Sequence, residues 1–182
     1  MNIFVVDQDP RIAAQSLCDK HVVKMILESG QMLSTAHRML DGNEYIGPSK
    51  SGKRQVKKYS MNDEREFVLY NVVHANHPCT VWTMESSSNY AWHFIHFEAL
   101  AKEYQFRYGK THSTWDKLRD AVSSCPRNIP SGPRTPFAIA MKHYPQCIVE
   151  NDPVESYRKY YNEAKASFAK WTKRAIPEWY HV

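Results

Sequence analysis

No run of apolar residues approaches the roughly 20 that a membrane-spanning helix requires. The opening Ile3-Phe4-Val5-Val6 has neither the length nor the preceding positive charge of an export signal. Cysteine is scarce: Cys18, Cys79, Cys125 and Cys147 lie far apart with no Cys-x-x-Cys pair. That excludes a disulfide framework and fits reduced thiols in a cytoplasmic protein. Glycine is scarcer still for the length, with six in the chain. No phosphate-cradling glycine loop and no Gly-x-Ser-x-Gly elbow occur, which leaves no support for a nucleotide-binding P-loop or a serine hydrolase of that type. Apolar residues are not lacking: 42% of the 182 residues are hydrophobic and 13% aromatic. That is enough to offset chain entropy in one globular domain spanning 1–182, which we expect to act as a monomer.

The formal net charge is +5, and its placement is more informative than its size. Residues 49–58 (SKSGKRQVKK) hold Lys50, Lys53, Arg54, Lys57 and Lys58 and no acid, and the rest of the chain balances at 19 basic against 19 acidic residues. The whole excess therefore sits in one Gly- and Ser-bearing stretch. This is the form of a flexible arm that contacts phosphates, although a solvated surface loop has the same composition.

Helix signals dominate the rest. Asp9-Pro10 starts a short helix. From Cys18 to Leu40 there is no proline and one glycine, until Asp41-Gly42-Asn43 stops the pattern. Further helices are predicted over about 62–73, over 81–108 with Gly109 as terminator, and from Asp152-Pro153 to about Arg174. Pro126, Pro130, Pro133 and Pro136 make 125–136 an irregular connection. Strand propensity is confined to a short piece at Ile3–Val6. The class is mainly α: a compact helical domain with long irregular connections.

On the Cys18–Leu40 helix, His21, Lys24, Glu28, Gln31, Thr35 and Arg38 are spaced 3, 4, 3, 4 and 3, which puts them on one stripe. Most other positions are apolar, so the helix is expected to be buried except along this narrow polar groove. One carboxylate among His, Lys and Arg is the arrangement of a reacting centre: apolar walls raise its pKa and cations lower it. The same spacing also allows an ordinary exposed face with a Lys24–Glu28 bridge.

A second cluster runs from Asn76-His77-Pro78 through Trp82, Ser86, Asn89, Tyr90, His93, His96 and Glu98 to Arg107, Tyr108, Lys110 and His112. Basic groups interleaved with rings suit a nucleic-acid surface, where cations take phosphates and rings stack on bases. Trp82, Tyr90, Phe94 and Phe97 equally fit the core face of a long helix. His74, His77, Cys79, His93 and His96 are conceivable zinc ligands, but no His-Glu-x-x-His or paired Cys-x-x-Cys spacing occurs, and we assign neither metal nor cofactor.

Asp19-Lys20-His21 with Glu28 seven positions after the histidine resembles the first long helix of the bacteriophage pyrimidine-dimer DNA glycosylases, the endonuclease V class, without gaps from Cys18 to Leu33. His77-Pro78 with Trp82, the segment His96-Phe97-Glu98, and Arg107-Tyr108-Gly109 leading to His112-Ser113 resemble bacterial relatives. Trp171 and Trp179-Tyr180 are loosely similar. The resemblance covers about a third of the chain. It implies a small helical fold, DNA as partner, Glu28 as the catalytic glutamate with His21 on its stripe, and an N-terminal amine, here that of Met1, attacking the sugar carbon to form a Schiff base. The departures are Asn2 after Met1, where the family exposes a small residue, and Leu27 and Gln31 where the family carries arginines. The expected activity is a DNA N-glycosylase with an optional lyase step. Glu28, His21 and Met1 are its catalytic candidates. Lys24, Gln31, Arg38, the Lys50–Lys58 arm, His77, Asn89, Tyr90, Arg107, Lys110 and His112 are its DNA contacts. The competing classes are a non-catalytic nucleic-acid-binding module and a zinc hydrolase.

Overall fold

A computed structural model describes residues 1–181. Among them are seven helices and one two-stranded sheet, which makes the protein mainly α. None of these helices is long and apolar enough to cross a membrane. Helix α1 (Pro10–Ser16) begins where Asp9 accepts hydrogen bonds from the N–H groups of Arg11 and Ile12 with Pro10 in the first turn. Helix α2 (Asp19–Asp41) is the long helix read from the sequence, and Gly42 ends it. Helices α3 (Arg65–Val68), α4 (Pro78–Glu85), α5 (Ser87–Tyr108), α6 (Ser113–Leu118) and α7 (Pro153–Lys165) follow. The core forms where α2 and α5 pack together and α1, α4 and α6 close around them, with Met25, Ile26, Met32, Leu33, Trp82, Tyr90, Phe97 and Leu100 essentially sealed from solvent.

Glycine in mid-helix costs stability relative to alanine, so Gly30 needs a reason. A Cβ there would lie 2.6 Å from Thr114 and 2.8 Å from Leu118. The missing side chain is what lets α6 press against α2.

Four expectations about the elements are corrected. Ile3–Val6 is buried but forms no strand: Asn2 Oδ1 takes the N–H groups of Ile3 and Phe4, Phe4 has φ +58°, and Val6 N–H donates back to Phe4 O. The chain turns there, so no ladder can form. The 81–108 helix is two helices, because Ser86 leaves helical geometry and its Oγ caps the N–H of Asn89. The helix expected over 62–73 shrinks to Arg65–Val68, because the Arg38 guanidinium takes the carbonyls of Glu66, Leu69 and Tyr70. The last helix ends at Lys165, since the chain beyond it lies across the α1–α2 junction: Lys170 O accepts from Asp19 N–H, Trp171 donates to Ser16 O, and Thr172 donates to the Asp19 carboxylate.

The basic arm is likewise not a flexible loop but part of an antiparallel hairpin, β1 (Asn43–Pro48) paired with β2 (Gln55–Ser60), in the register Asn43↔Ser60 to Pro48↔Gln55. Pro126, Pro130, Pro133 and Pro136 do lie in irregular chain, as read. It is tied down by Asp41, which accepts from Arg127 N–H and Asn128 N–H, and by Asn89, which exchanges bonds with Thr135.

Arg38 shows the strongest single tie. All five of its N–H donors are used: Nε on Tyr70 O, Nη1 on Tyr59 O and the Glu66 carboxylate (2.7 Å), Nη2 on Glu66 O and Leu69 O. Breaking a buried charged network by removing one partner costs about 3–5 kcal/mol. Arg38→Ala is therefore expected to lower the unfolding free energy by about that amount in urea titrations. Arg38→Lys, with three donors in place of the planar five, recovers only part of it. A change below about 1 kcal/mol in the alanine variant would refute the assignment.

Candidate active site

Glu28 lies in mid-helix on α2, 8% exposed, and lines a cleft of about 200 Å³ with Met1, Asn2, Phe4, His21, Lys24, Ala140, Tyr160 and Lys165. Among the described residues it is the one carboxylate in that lining. Three cationic groups share the cleft. The Met1 α-amino group stands 3.7 Å from Glu28 Oε2, Lys24 Nζ 3.4 Å from Oε1, and Lys165 on α7 lies across the cleft, its Nζ donating to Tyr160 Oη. The backbone N–H of Asn2 donates to Oε2 at 2.9 Å, while the Asn2 amide donates to Ala140 O. These bonds seat the first two residues against α2. Sequence reasoning missed Asn2, Tyr160 and Lys165: a residue beside the terminus and two on α7 carry no spacing signal pointing at Glu28.

His21 lies about two turns up the same helix, 6% exposed. Burial, with the charges of Lys165 and Lys24 adding to it, pushes its pKa down to about 3. Tyr161 Oη accepts from Cys18 N–H and is hydrogen-bonded to His21 Nδ1, 2.7 Å away. The ring is thereby held in place, and its lowered pKa leaves it neutral at neutral pH. Phe4 stacks on it at 4.3 Å between ring centroids. A bulky residue at positive φ is strained, and strain of this kind is retained where a site needs it.

His77 caps α4, Nδ1 accepting from Cys79 N–H. Burial, the Met1 amine and His74 hold it below its ordinary pKa. It lines a second cavity, of about 570 Å³, with Pro78, Ile139, Met141, Lys142, His143, Tyr144 and Ile148. This cavity shares Met1, Ala140 and Tyr160 with the cleft over Glu28.

The structure thus gathers Met1, His21, Lys24, Glu28 and His77, and it corrects the picture of the remaining stripe. Gln31 is half-exposed, but Thr35 is buried and exchanges bonds with Val73. The exposed side of α2 instead carries Lys20, Val23, Lys24 and Leu27. Four expected DNA contacts lie in the interior with their polar atoms engaged. Arg38 is spent on the carbonyls described above. Asn89 is sealed between Trp82 O and Thr135. Tyr90 donates to Val122 O and meets His37 Nε2 at 2.8 Å. Arg107 is bound to Glu103, Asp19 and Gln15 O, in a network that Arg174 completes. Lys110 is exposed, and His112 caps α6, its Nδ1 accepting from Thr114 N–H. Of the zinc candidates, His93 is bonded to Thr83 Oγ1 and His96 stacks on Trp92, both fully buried. No three His, Cys, Asp or Glu side chains among the described residues converge as ligands.

Comparison with protein families gives a match to the model of the pyrimidine dimer DNA glycosylases over residues 1–117. The chain belongs to that family. No curated protein and no solved structure matches it. The matched span contains the α1–α2 unit with Glu28, the β1–β2 hairpin, α4 and α5. The Ala140, Tyr160 and Lys165 side of the cleft, and the 139–148 wall of the larger cavity, lie beyond it. The family side of the cleft supplies carboxylate and amine; the remainder of the chain supplies the opposite wall.

Proposed function

We propose that the protein is a DNA N-glycosylase that removes a pyrimidine lesion through the Met1 α-amine, with Glu28 as the central carboxylate and strand cleavage as a second step. The observation that carries this reading is the 3.7 Å approach of the terminal amine to Glu28 Oε2 in a cleft whose other charged groups are Lys24 and Lys165. Glu28 accepts a proton from the ammonium, and the freed nitrogen lone pair attacks C1′ as the C1′–N bond to the base breaks and the base departs with that electron pair and a proton. The carboxylate also stabilises the positive charge that develops on the sugar. Expulsion and protonation of O4′ then yield the Schiff base, and loss of a C2′ proton expels the 3′ phosphate. Lys24 and Lys165 face the flanking phosphates, the neutral His21 ring stands beside the sugar, and the neighbouring cavity receives the displaced base.

The test is incubation with duplexes carrying a single cyclobutane pyrimidine dimer or other defined base lesions. Released bases are identified by mass spectrometry and adducts are trapped with borohydride. The expected result is glycosidic-bond cleavage at the dimer, with the freed pyrimidine still joined to its neighbour through the cyclobutane ring and released as a free base only after photoreversal, and a covalent protein–DNA adduct that disappears when residues are added before Met1. Cleavage without an adduct would replace the amine with water as the nucleophile. No glycosidic-bond cleavage in any substrate would sink the glycosylase reading.

A further inference from the structure

The hairpin lies outside the cleft chemistry. Five of the six β1 residues are exposed, as are Lys50, Lys53 and Arg54 in the connecting turn, while Val56, Lys58, Tyr59 and Ser60 of β2 are half-buried. Two strands alone are marginal in water, and this ribbon is anchored through β2, where Arg38 donates to Tyr59 O. Its turn is also shaped: Ser49 N–H donates to Arg54 O, and Gly52 supplies the φ of +73° that the chain needs there. Within 43–60 the charges are five basic groups and Glu44. Glu44 is already bound to Lys57 at 2.8 Å and to the Tyr59 hydroxyl. Lys50, Lys53, Arg54 and Lys58 have no salt-bridge partner among the described residues.

Along the ribbon, from its foot to its turn, a cleft of about 540 Å³ opens between the strands and the segment 71–73, with Tyr45, Tyr59, Lys57, Lys58 and Lys50 in its lining. Its one carboxylate among the described residues, Glu66, is occupied by Arg38 and by Met61 N–H. Segment 71–73 is itself fixed to α2 through the Thr35–Val73 bonds.

We propose that the ribbon and the cleft along it hold duplex DNA on one side of the reacting nucleotide; this rests on the glycosylase reading for where that nucleotide lies. The charge fits phosphate, and a two-stranded ribbon fits the major groove, which is about 12 Å wide. The scale follows from the elements. From Glu28 to the end of α2 is about 20 Å at 1.5 Å per residue. The six paired positions of the ribbon add at most about 20 Å. At 3.4 Å per base pair the foot stands roughly 6 and the tip at most roughly 12 base pairs from the reacting sugar.

The experiment uses duplexes with one pyrimidine dimer, a 15-base-pair flank on one side and a 4-base-pair flank on the other, in both orientations. Each is titrated against salt with the parent and with the combined variant Lys50→Gln, Lys53→Gln, Arg54→Gln. The parent is expected to bind one orientation at least about 10-fold more tightly than the other, and the variant to lose that preference. The slope of log affinity against log salt should fall by about 2–3, since each phosphate contact contributes about 0.9. The variant's thermal midpoint should equal the parent's, because the altered side chains are exposed. Equal flank preference and equal salt slope in parent and variant would overturn the proposal, as would tighter binding to single-stranded DNA or to RNA of the same length. If no glycosidic bond is ever cleaved, the glycosylase reading fails by itself; the salt slope and length dependence on undamaged duplex still decide whether the ribbon binds DNA.

Discussion

Between pH 7 and pH 5 the unfolding free energy should fall by several kcal/mol, because four histidines are folded into the interior as neutral rings. Burial pushes His21, His93 and His96 down to about 3 and His37 to about 4, with nearby cations adding to the effect at His21 and His37. The bonding agrees. Tyr90 Oη donates to Val122 O, so it accepts from His37 Nε2–H, and His37 Nδ1 is left to accept from Arg65. Thr83 Oγ1 donates to Cys79 O and so accepts from His93 Nδ1–H. The sign follows from which state binds more protons. Below about 6.5 the unfolded histidines take up protons that the folded ones refuse, so stability is fully present above that pH and is lost on acidification until the folded values are reached. Each histidine contributes a slope of about 1.4 kcal/mol per pH unit, hence about 2 kcal/mol each and about 8 for four between pH 6.5 and 5. That is comparable with the whole stability of an ordinary domain, about 5–15 kcal/mol. Urea unfolding followed by circular dichroism at half-unit pH steps measures the slope directly. Replacing His93 with a neutral, non-titrating side chain should reduce it by one histidine's share. Equal unfolding free energies at pH 7 and pH 5 would show that these rings ionise freely in the fold.

The sequence was most legible where a local rule acts alone. Asp9-Pro10, Asp41-Gly42 and Asp152-Pro153 mark real helix ends because capping needs only a few adjacent residues. Glu28 was legible as the odd acid on a basic stripe, but of that stripe's cations only Lys24 reaches the cleft; the other charges there are the Met1 amine and Lys165. The interior arginines and Asn89 were misread for a physical reason. Arg, Asn and Tyr satisfy buried carbonyls with the same donors they would offer to phosphates and bases, and the sequence does not show which acceptors arrive. Arg107 meets Asp19 from 88 positions away and Arg38 meets carbonyls 21 to 32 positions away. The hairpin was hidden by composition: a Lys-rich strand that is at most half-buried has no hydrophobic alternation to announce it. The far wall of the cleft comes from 139–165, distant in sequence and outside the matched span of the family.

Glu28→Gln should reduce glycosidic-bond cleavage in dimer-containing duplex, read as abasic or cleaved strand, by about 10²- to 10⁴-fold, the range expected when a group that transfers a proton or stabilises developing charge in the transition state is removed. The substitution is nearly isosteric. The amide oxygen can still accept the N–H of Asn2, now at 2.9 Å from Oε2, so the first residues should stay seated against α2. What disappears is the negative charge facing the Met1 amine and Lys24. Without it the ammonium loses its proton acceptor and the sugar cation loses its counter-charge. Affinity for damaged duplex should change little, or rise slightly, because one repulsion against phosphate is removed from a cleft whose other charged groups are cations. The informative quantity is therefore the ratio of single-turnover rate to binding constant, measured on the same substrate for parent and variant, with thermal unfolding as a check on the fold. A non-catalytic binding protein would show no glycosidic-bond cleavage in the parent. If the parent cleaves the bond and the Gln variant keeps its rate while remaining folded, Glu28 is a packing residue and the chemistry belongs to another group in the cleft. If borohydride adducts form with the parent and are lost in step with glycosidic-bond cleavage, the amine and the carboxylate act in one pathway. Adducts that persist in Glu28→Gln at parental yield would separate them.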